Sequence, residues 1–198
     1  CGLQWCCIMI KLFAFFAFGV AVCAADAPVS PPVPPPVLCG EVPSSIFSCL
    51  GIPTVIAASA GYQCRLHASE CDKMKCIFEK SGWMDGDKVN KQKVIDHFNK
   101  FANDHPAWST AVEQVKTACL SGTLPAQGVY LDCPAYDVMN CALASFIKSA
   151  RPSQWASIPE CKYPQDFARA CPICPNDCFA PQVPYGSCNA CVLLPRTP

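Results

Sequence analysis

The chain has 198 residues, with 15 basic and 15 acidic side chains, 18 cysteines and 20 prolines. Balanced charge without a basic patch argues against nucleic acid or an anionic membrane surface as partner. The length is enough for one domain with a real core, and the sequence has no Gly-rich phosphate loop and no internal repeat.

Near the start, Met9, Ile10 and Lys11 precede LFAFFAFGVAVCAA. One positive charge, an apolar run from Leu12 to Val22 and then small residues follow the three-part pattern of a secretory signal peptide. Residues 1–25 are therefore read as leader and upstream residues, with cleavage expected after Ala25. The run is about half of the ~20 residues that a membrane-spanning helix needs. No other long apolar run follows, so the expectation is an extracellular protein without stable membrane insertion. Cys1, Cys6, Cys7 and Cys23 fall in or before the leader, and the other fourteen cysteines lie beyond it. An even number of thiols in an oxidising compartment predicts disulfides, seven at most.

Residues 26–38 form a proline-rich arm, with six prolines between Pro28 and Pro36. The composition predicts an extended, solvated polyproline II spacer. Next, PSSIFSCLGIP predicts a short helix capped by Ser44 or Ser45 and stopped by Gly51 and Pro53. A small, Ala-rich helical piece is expected from Val55 to Tyr62. HASECDKMKCIFEKSGW predicts a helix to about Lys80, with Ser69 as its cap. MDGD, residues 84–87, predicts a turn.

Helical spacing then dominates. Val94, Phe98 and Phe101 stand at i, i+4 and i+7 and share a face. Asn103 and Pro106 end that helix. Trp108 opens the next, where Val112, Val115 and Cys119 keep the spacing, and Gly122 closes it. LPAQGVYLDCP, residues 124–134, is expected to be a loop. AYDVMNCALASFIKSA predicts the fifth clear helix, with Tyr136, Met139, Leu143 and either Phe146 or Ile147 inward, ended by Pro152. No strand signal competes, and the centre is expected to be all-α with five or six helices.

From Cys161 onward prolines and cysteines dominate, which predicts a tail too broken for long elements and held by covalent links. Cys171/Cys174 and Cys188/Cys191 are two CxxC pairs thirteen residues apart, which is zinc-ribbon spacing. Cys178 between them is a fifth thiol for which a four-ligand site has no use. With the leader, this favours disulfides over a metal site, so no metal or cofactor is expected.

CDKMKCIFEKSGWMDGDKVN, followed by Cys119, Cys133 and Cys141, resembles the insect odorant-binding proteins, and HPAW before Val112 fits the same family. The likeness covers roughly Cys49 to Trp155. The extra cysteines and the CxxC tail resemble its cysteine-rich, Plus-C-like subgroup, and the ending SCNACVLLPRTP resembles lepidopteran members. The resemblance implies an all-α, disulfide-linked bundle of about six helices around an apolar cavity. Residues 39–160 would form this helical domain, with 161–198 a cysteine-rich extension packed on it. The family's interlocked pairing, first cysteine to third, second to fifth and fourth to sixth, implies Cys71–Cys133 and Cys119–Cys141. Cys39, Cys49 and Cys64 are candidates for the first cysteine; Cys49 is favoured because it ends a predicted helix, and it would pair with Cys76. The sequence departs from the family in having four residues, not three, between Cys71 and Cys76. On a regular helix this sets the two ~140° apart rather than ~40°. Seven residues, where eight are usual, separate Cys133 and Cys141.

By residue type alone Phe78, Trp83, Phe98, Phe101, Trp108, Tyr136 and Phe146 are ordinary core. With the resemblance they become candidates to line a cavity, together with Val94, Val112, Val115 and Leu143. An apolar cavity with one or two polar anchors carries a small hydrophobic molecule, and Tyr136 and Ser145 are the polar candidates. The resemblance thus implies a secreted carrier of odorants, pheromone-like or other lipophiles, with delivery to a membrane receptor as a further partnership. The alternative is a secreted disulfide-rich inhibitor or structural protein acting through its surface. An enzyme is not expected: no thiol is left free for a Cys–His pair, and GxSxG and HExxH are absent. His97, beside Asp96, is expected on the outer side of its helix and solvated, while His67 and His105 are candidates for a pH effect near a cavity mouth. The tail is expected to be a fixed brace, linked in part to Cys39 and Cys64.

Overall fold

The computed structural model describes residues 37–67, 69–122, 133–179, 188 and 191. The expected leader, the proline-rich arm up to residue 36, the loop at 123–132 and most of the last nineteen residues lie outside them. Within the described residues the chain is mostly helical, with one two-stranded hairpin.

The helices are α1 (Ser45–Cys49), α2 (Ala58–Gln63), α3 (Glu70–Lys80), α4 (Lys91–Asp104), α5 (Ser109–Gln114), α6 (Pro134–Lys148) and α7 (Lys162–Ala170). Local chemistry sets several of their ends. Ser69 Oγ accepts from the Asp72 N–H at 3.0 Å and caps α3, which satisfies one of the four unpaired donors of a first turn. Asn90 does the same for α4 through the Lys93 N–H, at 2.9 Å. Val115–Cys119 continues α5 as a π-helical turn. The MDGD turn is the tip of a hairpin, β1 (Met84–Asp85) against β2 (Lys88–Val89). Gly86 sits at its first central position with φ 60°, which only glycine adopts without strain.

α6 is the central element, packed against α3, α5, the π turn, β2 and α7. Around Phe146 the rings interlock: Phe101 at 5.5 Å, nearly perpendicular, Trp108 at 5.3 Å and Phe98 at 6.3 Å. Phe78 meets Trp83 edge-on at 5.1 Å. Val94, Val112, Val115, Ile46, Leu50 and Ile147 fill the same core.

The tail departs from expectation, because α7 is a regular nine-residue helix. Pro164 stands in its first turn, where the missing N–H has no helical partner to lose. Phe167 and Pro164 are buried, and Phe167 joins the core of Phe78 and Phe98. Lys148, at the end of α6, donates to the carbonyls of Ala168 (2.6 Å) and Cys171. A cation thus meets the carbonyl end of α7, where the helix dipole favours it. Upstream, Leu50 and Trp155 form an isolated antiparallel bridge, and the Ala156 N–H donates to the Cys49 carbonyl at 2.8 Å.

Seven disulfides join the fourteen cysteines beyond the expected leader. Cys71–Cys133 and Cys119–Cys141 are two of them. The expected Cys49–Cys76 bond is not formed: Cys76 pairs with Cys64, and Cys49 with Cys161. The reason is angular. Cys71 and Cys76 both lie in α3, and five residues of helix turn them ~140° apart, so one faces the start of α6 and the other faces α2. With Cys64 as the first of six, Cys64–Cys76, Cys71–Cys133 and Cys119–Cys141 run first to third, second to fifth and fourth to sixth. Cys39–Cys171 and Cys49–Cys161 tie the tail to the N-terminal side; Cys64 takes no part in that brace. Cys174–Cys191 and Cys178–Cys188 nest within the tail around a small buried cluster. All four cysteines of the zinc-ribbon spacing are therefore consumed as disulfides.

Candidate functional site

A cleft of about 450 Å³ opens beside the core. Its floor is one face of α6, formed by Tyr136, Met139, Asn140, Ala142, Leu143 and Phe146. These positions recur at three- and four-residue intervals, so they share a side of the helix. Met74 of α3 and Phe47 of α1 also line it, and Phe47 is more than half exposed. The opposite wall is the non-helical segment 52–56, with Ile52, Pro53, Thr54, Val55 and Ile56. Pro53 cannot join a helix interior, and the β-branched residues beside it favour extended backbone.

His97 holds that wall in place. Its ring sits 4.6 Å from Trp83 and 5.7 Å from Phe98, and Nε2 lies 2.9 Å from the Val55 carbonyl oxygen. A carbonyl only accepts, so Nε2 carries the proton and donates. His97 is therefore not the solvated residue expected from sequence: the side chain is half-buried, and burial pushes its pKa below the ordinary imidazole value against the opposing pull of the Val55 bond. Sequence proximity to Asp96 misled, because the next residue on a helix points ~100° away.

The polar groups of the cleft are few. Tyr136 donates its hydroxyl to the Asp177 carboxylate at 2.9 Å. Burial first, then that carboxylate, push the phenol far above its usual pKa. The tyrosine therefore links the cleft floor to the 3₁₀ turn Asn176–Phe179 of the tail. Ser145, the other polar candidate, donates to the Cys141 carbonyl at 2.9 Å and does not line the cleft. Asn140 was not anticipated. Its Nδ2 is buried and has no hydrogen-bond partner, and the residue lines the cleft. The available signal was its spacing, four residues after Tyr136 and three before Leu143, within a stripe expected to face inward.

Of the residues expected to line a cavity, the structure brings Tyr136, Leu143 and Phe146 to the cleft. Phe78, Trp83, Val94, Phe98, Phe101, Trp108, Val112 and Val115 are buried in the close-packed core beside it and do not line it. Neither His67 nor His105 lines it; His105 stacks 4.6 Å from Phe101 at the end of α4. Among the described residues no helix is long and apolar enough to cross a membrane. Comparison with protein-family models, with curated proteins and with solved structures finds no match to the chain.

Proposed function

We propose that this protein is a secreted carrier that holds a small hydrophobic molecule in the α6 cleft and releases it chemically unchanged. The observation that carries the reading is the cleft itself: about 450 Å³, walled almost wholly by aliphatic and aromatic side chains. That is within the range of small-molecule sites, and leaving so much apolar surface open to water is unfavourable unless something covers it. The disulfide frame supports the same reading. Cys64–Cys76 and Cys71–Cys133 fix α2, α3 and the start of α6 relative to one another, which lets a cleft persist that packing alone would tend to collapse. The order of Cys64, Cys71, Cys76, Cys119, Cys133 and Cys141 pairings matches the interlocked pattern of the odorant-binding proteins, so carriage of odorant-like lipophiles within an all-α bundle is the finer form of the proposal. Secretion under the leader at residues 1–25 and delivery to a receptor belong to it as well.

The test is displacement of an apolar fluorescent probe, N-phenyl-1-naphthylamine, from purified oxidised protein. The expected affinity is roughly micromolar, about −8 kcal/mol, with displaced ligand recovered intact. Absence of probe fluorescence at tens of micromolar overturns the carrier reading in favour of a protein that acts through its surface.

A further inference from the structure

The unpartnered Asn140 amide gives the cleft a chemical preference. Burying an amide N–H₂ without a partner is unfavourable by ~1–3 kcal/mol, and nearly all buried donors in folded proteins are satisfied. Here Nδ2 is buried on the cleft-lining face of α6 with no partner. The other polar side chains at the cleft do not compete for its role. Tyr136 spends its proton on Asp177, and Thr54 is exposed at the wall. Among the described residues no lysine, arginine or histidine lines the cleft, so a carboxylate would enter without a counter-ion, which is strongly unfavourable.

We propose that the cognate ligand is a neutral lipophile bearing a carbonyl oxygen, an aldehyde, ketone or ester, and that a turn of the Asn140 side chain brings its buried Nδ2 into the cleft to donate to that oxygen, while the aliphatic part lies along Met139, Leu143 and Phe146. The proposal rests on the carrier reading and adds the ligand's chemical class. A hydrocarbon would leave the amide unpaired.

The test compares a long-chain methyl ketone with the n-alkane of the same chain length. Both are titrated against N-phenyl-1-naphthylamine bound to the full oxidised chain, native and Asn140→Leu. The ratio of ketone to alkane affinity is expected to fall roughly tenfold in the variant, the loss of one net hydrogen bond. In the native protein the infrared carbonyl stretch of the bound ketone is expected below its frequency in hexane, and the long-chain carboxylate is expected to compete least. An unchanged affinity ratio, or a bound ketone stretching at its hexane frequency, overturns the proposal while leaving the carrier reading intact. The infrared arm needs only the native chain, so it decides even where Asn140→Leu does not fold. Failure to bind the probe or either ligand overturns the carrier reading, and the proposal with it.

Discussion

Phe101 and Leu143 were equal candidates in the sequence, and the structure separates them. Phe101 is 5% exposed and touches the rings of Phe98, His105 and Phe146, whereas Leu143 is only partly buried and lines the cleft. Phe101→Ala is expected to cost about 3–5 kcal/mol of stability, the usual loss for an aromatic truncated in a packed core, with probe affinity per folded molecule unchanged. Leu143→Ala is expected to show the reverse balance: a smaller stability loss and severalfold weaker probe binding, since the apolar area removed is the ligand's own contact. Urea denaturation midpoints and probe titrations on both variants check the pair. A Phe101→Ala protein that stays stable but loses the probe would place a ligand in the core instead of the cleft.

At the scale of elements, helical spacing located α4 and α6 to within a few residues, because each carries a long apolar stripe, and the Ser69 cap located the start of α3. The spacing could not locate the cleft. A stripe tells which face turns inward, but packed core and cavity wall present the same residue types at the same intervals, as Phe98 and Phe146 do. Segment 52–56 was harder still, since its wall conformation depends on a bond from α4, forty-two positions away in sequence, between His97 and Val55. The burial of the imidazole, which the Val55 bond only partly offsets, makes the wall sensitive to acid. Burial depresses the His97 pKa in the folded chain, while the unfolded chain titrates near the ordinary value, about 6.5. The unfolded state therefore binds more protons in the window below about 6.5, and stability rises with pH there. The contribution is complete above about pH 6.5 and is lost as pH falls toward the folded value. The native protein should melt at lower temperature at about pH 5 than at about pH 7, and His97→Gln should show a smaller difference. An equal pH difference in both proteins would assign the titration to another group.

Across the whole molecule the tail is what composition misjudged. Seven prolines and six cysteines from Cys161 onward suggested a segment with no regular structure of its own, yet α7 supplies Phe167 and Pro164 to the core and receives Lys148 at its end. The brace has two covalent anchors, Cys39–Cys171 and Cys49–Cys161, which close loops of 132 and 112 residues. Their strength lies in the denatured state: in the chain-entropy model a lone loop of that size restricts the unfolded ensemble by roughly 4–5 kcal/mol, and less where other crosslinks already restrict it. The nested pair Cys174–Cys191 and Cys178–Cys188 closes loops of only 17 and 10 residues, so it shapes the end of the tail more than it restrains the domain. Replacing Cys39 and Cys171 together by Ala should therefore lower the denaturation midpoint more than replacing Cys178 and Cys188 together. The tail need not detach in the first variant, because Cys49–Cys161, the Phe167 contacts and the Lys148 bonds remain. Probe binding should survive in both, as none of these four cysteines lines the cleft. Chemical denaturation with probe titration on each double variant distinguishes the cases. If the Cys178/Cys188 replacement proves the more damaging, the long loops are not what stabilises the domain, and the tail's own knot holds α7 against the core.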